Sequence, residues 1–167
     1  MSGNALFPKG VALVLGASGG IGGKVATVLA QDGSDLALVY NRKADAAQTI
    51  AEAAPTRATT HKCDVTDATS VAALIEEVIA THGRIHTLVW AAGPLVDQLL
   101  LSETPLEKWR HAFEVEVHGF FGIVTALLPH FRANGGGSIV HLGSAGHLRW
   151  PDRDGLSVAP KAANESW

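Results

Sequence analysis

Gly16, Gly20 and Gly22 offer the first recognisable chemistry, the binding of a phosphate by backbone alone. The apolar run Val11–Leu15 stops at Gly16, and an apolar face at helical spacing (Ile21, Val25, Val28 and Leu29) follows Gly20. Strand, glycine turn and helix in that order are what a phosphate-binding βα turn requires. Gly16 permits the tight turn out of the strand. Gly20 leaves the helix start free of a Cβ where a pyrophosphate would approach, and Gly22 lets the helix lie close on the strand. Unpaired N–H groups at that helix end would point at the anion. An ordinary βα turn without a ligand is the alternative reading, and the flanking strand and helix weigh against it.

The second chemical signal is Asn41-Arg42-Lys43, at the end of the next apolar run. An acidic residue here would accept from the 2′-hydroxyl of an adenosine ribose and repel a 2′-phosphate. Arginine instead offers a planar set of donors suited to a phosphate. NADP(H) is therefore expected over NAD(H), which stays the second option; a solvated helix start is the plainer reading of Arg42 and Lys43. Other constellations carry less. His111, Glu114 and His118 fall at i, i+3 and i+7, yet a zinc site needs a further ligand and outer-shell support that the sequence does not offer, so no metal site is assigned. His141 and His147 flank Ser144, but Gly143-Ser144-Ala145-Gly146 lacks the G-x-S-x-G spacing of a nucleophile elbow. His141 reads as a strand residue with a satisfied ring and His147 as a loop residue.

Positioning elements follow from the periodicity. Strands are expected at 11–15, 36–40, 57–62, 85–91 and 138–142. Helices are expected at 20–31, closed by Gly33, at 43–53, and after Asp67 as N-cap, with the stripe Val71, Leu74, Ile75, Val78 and Ile79. Thr104-Pro105-Leu106-Glu107 reads as a capping box that starts a helix to about residue 132. Its stripe runs Leu106, Trp109, Phe113, Val117, Phe120, Val124 and Leu128. Residues 145–167 read as loop, with at most one helical turn near Pro160–Asn164. Strands alternating with helices through short connections predict an α/β fold: a doubly wound parallel sheet of about five strands with helices on both faces.

Composition sets bounds. The length of 167 residues predicts one domain, and 47% hydrophobic against 17% charged residues places it among globular chains rather than disordered ones. A net charge of -3 without a long run of one sign argues against a nucleic-acid surface. Neither a signal peptide nor an uninterrupted apolar run of the ~18 residues a membrane span needs is present. Cys63 is the single cysteine, which suits a reducing, cytoplasmic compartment and reads as a lone buried thiol.

Taken together, these segments resemble the short-chain dehydrogenase/reductase family. Gly16-Ala-Ser-Gly-Gly-Ile-Gly22 is similar to the family's TGxxxGIG turn, and Asp64-Val65 stands where the family contacts adenine. Ala91-Ala92-Gly93 stands where it has Asn-Ala-Gly, and Leu128-Pro129 matches the end of its long helix. Gly137-Ser138-Ile139-Val140-His141-Leu142-Gly143-Ser144 resembles its fifth strand with the active-site serine at Ser144. The resemblance implies a Rossmann-type fold and cofactor contacts from Gly16, Ser18, Gly20, Ile21, Gly22, Asn41, Arg42, Asp64, Val65, Ala91, Ala92, Gly93 and Lys161. It implies hydride transfer with a small carbonyl or alcohol substrate, and catalytic positions at Ser144, Ser157 and Lys161.

The departures fall on the chemistry. The family's Tyr-x-x-x-Lys pair is here Ser157-Val158-Ala159-Pro160-Lys161, and the only tyrosine, Tyr40, ends the second strand on the adenosine side. The family's helix asparagine aligns with Glu116, and that of Asn-Ala-Gly with Ala91. A serine hydroxyl is a poorer acid than a phenol and reaches less far, so a catalytically impaired nucleotide-binding remnant is the alternative function. The chain ends six residues after Lys161, where the family continues through further strands. The resemblance thus implies a single domain, 1–167, incomplete at its C-terminus, with the edge of strand five open. It also makes the helix from Thr104, with Trp109, Phe113 and Phe120, a candidate homo-oligomer face, although a core-facing stripe is the plainer reading for most of those residues.

Overall fold

The structure is a computed structural model and describes residues 6–167. Five parallel strands form one sheet in the order β3-β2-β1-β4-β5. They are β1 (Val11–Leu15), β2 (Asp35–Tyr40), β3 (Ala58–Lys62), β4 (Ile85–Trp90) and β5 (Ser138–His141). The intervening helices are α1 (Gly20–Gln31), α2 (Ala44–Ala53) and α3 (Ala68–His82), then a 3₁₀ turn at Leu101–Glu103 and α4 (Leu106–Phe113). A π-helical segment, Glu114–Gly119, joins α4 to α5 (Phe120–Ala133), and α6 (Gly146–Arg149) and α7 (Gly155–Asn164) follow β5.

Alternation along the strands builds two cores. Val11, Leu13, Leu15, Val39, Leu88 and Trp90 face α3 and α5, with Leu74, Val78, Ile123 and Leu127 packed against them. Ala12, Val14, Leu36, Leu38 and Val89 face α1 and α2 on the other side. The central strands are apolar on both faces because both faces are covered, as parallel sheets require. The doubly wound α/β reading therefore holds. The strand order reverses between β1 and β4, and the glycine turn leaves β1 at that switch point, where open α/β sheets bind ligands.

Several local expectations hold in detail. Asp67 Oδ1 accepts from the Thr69 N–H at 2.9 Å, and Gly33 closes α1 with φ +93°. Three differ. Thr104 is not a cap: Pro105 is the N-cap of α4, and the Thr104 hydroxyl donates to the Leu100 carbonyl at 2.9 Å, engaged in the preceding turn. Phe120 is 4% exposed and belongs to the core, while Phe121 is the exposed aromatic. The buried side of this helix runs through Glu116, Phe120, Ile123, Val124 and Leu127, which puts Phe120 on the sheet. Residues 145–167 are not loop, because α6 and the ten-residue α7 form there. Pro160 lies inside α7 and is itself buried; losing one N–H did not break the helix.

The helix from Leu106 to Ala133 is 28 residues long and apolar enough to cross a bilayer by length and composition. Here its apolar side is spent on the sheet, with Ile123, Leu127 and Phe131 buried in the core.

Candidate functional site

The glycine turn closes through its backbone. Gly16 adopts φ +77°, and a Cβ there would strike the Ala91 carbonyl; a Cβ on Gly22 would strike the carbonyl of Gly16 and crowd Ala91. Both glycines are thus demanded by close packing of α1 on β1 and β4. Gly20 is different. A Cβ there would meet open space, so nothing in the fold requires glycine at that position. Gly19 caps α1 without a side-chain bond, and no acidic residue stands in the first turn. A cradle of this kind suits a phosphate group.

Beyond the carboxyl ends of β1 to β4 lies a cleft of about 550 Å³. It brings together Gly16, Ser18, Asn41, Arg42, Asp64, Val65, Ala91, Ala92 and Gly93 from the sequence-derived set. Gly20, Ile21 and Gly22 lie on α1 just outside its lining; Ile21 is 68% exposed and Gly22 is buried. Asp64 is fixed by the Thr66 hydroxyl at 2.7 Å and the Thr66 N–H at 3.0 Å. These donors, with Arg42 contributing less, hold its carboxyl below the usual carboxylate range. Cys63 forms part of the floor; burial pushes its thiol up, and Ser70 Oγ donates to its sulfur at 3.5 Å. His111 and Glu114 line the far wall. Among the described residues no group of three His, Cys, Asp or Glu side chains has metal-holding geometry.

The three proposed catalytic positions sit apart from that cleft's lining. Ser144 follows β5, half-buried, with its Oγ accepting from the Gly146 N–H at 3.1 Å. Ser157 and Lys161 are four residues apart on α7 and so share a face. Lys161 reaches toward the cleft floor: its Nζ lies 3.8 Å from where a Cβ on Gly93 would be. It is ion-paired with Glu116 Oε1. Glu116 is 2% exposed, and its Oε2 accepts from the Trp90 indole at 3.1 Å. Asn164, one turn past Lys161, donates to the Glu116 carbonyl at 2.8 Å and to His141 Nε2 at 3.1 Å. Burial first, and Lys161 among the lesser causes, pull the His141 imidazole down; its ring also packs at a tilt against Phe120, ring centres 4.8 Å apart. The expectation of a satisfied His141 ring holds. His147 is not a loop residue: it lies in α6 and pairs with Glu165 at 3.0 Å. The sequence comparison flagged Glu116 as a departure but gave no hint of its ion pair, because its partner lies 45 residues on.

The chain matches the family model for short chain dehydrogenases over residues 10–162. It is 32% identical over 145 residues to an NADP-dependent mannitol dehydrogenase of Alternaria alternata, covering 83% of this chain and 54% of that protein. It is 36% identical over 141 residues to a cis-4-hydroxycyclohexanecarboxylate dehydrogenase of Sinomonas cyclohexanicum, covering 83% and 56%. Among solved structures, NAD+-bound xylitol dehydrogenase superposes with a TM-score of 0.89 at 27% identity, covering 96% of this chain and 63% of that one. A 7 alpha-hydroxysteroid dehydrogenase complexed with NADH gives 0.86 at 26% identity, covering 94% and 62%. The chain spans about half the length of the curated relatives it matches. With the parallel sheet and its glycine turn, these matches show that the chain belongs to the short-chain dehydrogenase family.

Proposed function

We propose that this chain binds NADP(H) in the cleft and supports hydride transfer between the nicotinamide and a small carbonyl or alcohol. The observation that carries the cofactor reading is the shared cleft: the glycine turn at one end and Asn41-Arg42 at the end of β2 both line it. Arg42 and the exposed Lys43 offer donors to a 2′-phosphate, and the 41–43 loop has no carboxylate to accept from a 2′-hydroxyl. Relatives divide on this point, one being named NADP-dependent and one solved with NAD+. The single buried thiol suits a cytoplasmic setting.

Bound cofactor supplies the hydride. Ser144 donates its hydroxyl to the substrate oxygen, Lys161 holds the nicotinamide ribose, and Ser157 stands at the proton-donating position. Replacing a phenol by an alkyl hydroxyl removes an acid/base contribution of roughly 10²–10⁴ in rate, so turnover is slow. The absence of a tyrosine beside Ser144 favours a second reading, in which the chain binds the nucleotide without turnover. Tyr40, the only tyrosine, lines the cleft beyond β2.

Titration with NADPH and NADH tests the cofactor reading. NADPH should bind more tightly, and Arg42→Asp should weaken NADPH on the order of tenfold or more while sparing NADH. Equal losses for both nucleotides reject the assignment of Arg42, and binding of neither rejects both readings.

A further inference from the structure

We propose that Glu116 is the positioning residue of Lys161: it anchors the ammonium and aims its free donors at the cofactor. This rests on the cofactor reading above and extends it to a residue outside the cleft's lining. Each polar group of Glu116 has a defined task. Oε1 takes Lys161, Oε2 takes the Trp90 indole at 3.1 Å, and the main-chain carbonyl takes Asn164 at 2.8 Å. Lys161 and Asn164 lie on the same face of α7, so the helix is tied to the π segment at two points. A carboxylate only 2% exposed must be paired, and among the described residues a lysine is the one cation bonded to it. An ammonium has three donors; Glu116 occupies one and leaves two. The ammonium lies beside Gly93 of the cleft, its Nζ 3.8 Å from where a Cβ on that glycine would be, and such a Cβ would collide with Glu116 Oε1. A free lysine would spread its charge over many rotamers, and the anchor removes that freedom before the cofactor arrives.

The test is a double-mutant cycle on the full chain with Glu116→Gln, Lys161→Met and both together. Gln keeps the size and an acceptor for Trp90. The readouts are NADPH affinity, affinity for adenosine 2′,5′-bisphosphate, which lacks the nicotinamide half, and the unfolding midpoint. Either single change should weaken NADPH on the order of tenfold. Glu116→Gln should add no further loss in the Lys161→Met background, and the bisphosphate affinity should hold throughout. Equal NADPH losses from Glu116→Gln in both backgrounds overturn the positioning role while the cofactor reading stands. A parent chain that binds the bisphosphate but not NADPH overturns the positioning role too. If neither binds, the cofactor reading fails first. Should Glu116→Gln not fold, acetylation of the unmodified chain decides, read by mass spectrometry. Lys161 should react more slowly than the exposed Lys62, and more slowly again with NADPH present. Equal rates for the two lysines overturn the proposal.

Discussion

Gly22 packs against the carbonyl oxygen of Gly16 with no room for a Cβ between them, while Gly20, two residues earlier on the same turn, faces open space. The two positions therefore predict opposite outcomes. Gly22→Ala forces backbone against backbone and should lower stability by about 1–3 kcal/mol in urea unfolding. Gly20→Ala should leave stability unchanged or raise it by up to ~1 kcal/mol, since alanine is the better helix former. On the cofactor reading proposed above it should nevertheless weaken NADPH binding, because a methyl at the start of α1 would crowd a pyrophosphate approaching that helix end. A loss of stability at Gly20→Ala matching that at Gly22→Ala would show that packing alone demands both glycines.

The same contrast explains what could be read from the sequence. The turn, the parallel strands and the cleft residues at the strand ends were legible, because apolar runs and glycines act locally and the switch point follows from topology. Asp67 and Gly33 were legible for the same reason. The Glu116–Lys161 pair was not, since a buried carboxylate is defined by a partner 45 residues away. Helix α7 was hidden by Pro160, whose missing N–H counts against a helix in isolation and is outweighed by the burial of Leu156, Val158 and Asn164. Phe120 and Val124 of the long-helix stripe lie in the core, as the helical period lets one expect, and Phe121 takes the exposed position beside them.

Ser144 carries the hydride-transfer half of the proposal. Ser144→Ala should cut the reduction of a panel of small ketones, followed by NADPH absorbance, by roughly 10²-fold, the usual worth of a donor on a developing oxyanion. NADPH affinity should not change, because Ser144 is not among the residues that line the cleft. Ketone reduction that survives the substitution intact excludes Ser144 from the site.

Strand β5 is one of the two edge strands of the described sheet, and it is apolar there: Ile139 is 41% and Val140 44% exposed. Unpaired N–H and C=O groups beside exposed aliphatic side chains form a template for another strand. Val140→Lys should reduce concentration-dependent association in sedimentation experiments while shifting stability by no more than about 0.5 kcal/mol. Unchanged association would acquit this edge and turn attention to the aromatic helix face carrying Trp109 and Phe121.

Acid should destabilise the fold before any carboxylate titrates. Burial is the largest cause pulling down each of His82, His86 and His141. His82 Nε2 bonds Thr59 at 2.8 Å while its buried Nδ1 has no partner among the described residues. His86 lies between Ser34 and Thr87. All three imidazoles titrate lower in the fold than in the unfolded chain, where the value is about 6.5. Between the two values the unfolded chain holds more protons, so stability rises with pH through that window. The contribution is complete above about pH 6.5 and is lost as pH falls below it. Asp64 adds nothing to this slope: its carboxyl is depressed, so its contribution persists until pH drops below its unfolded value of about 3.9. The unfolding midpoint should thus fall steadily from pH 7 to pH 5, and His82→Gln, which keeps a donor for Thr59, should flatten the slope. A midpoint that stays level or climbs over that interval would contradict the downward shift of these three imidazoles.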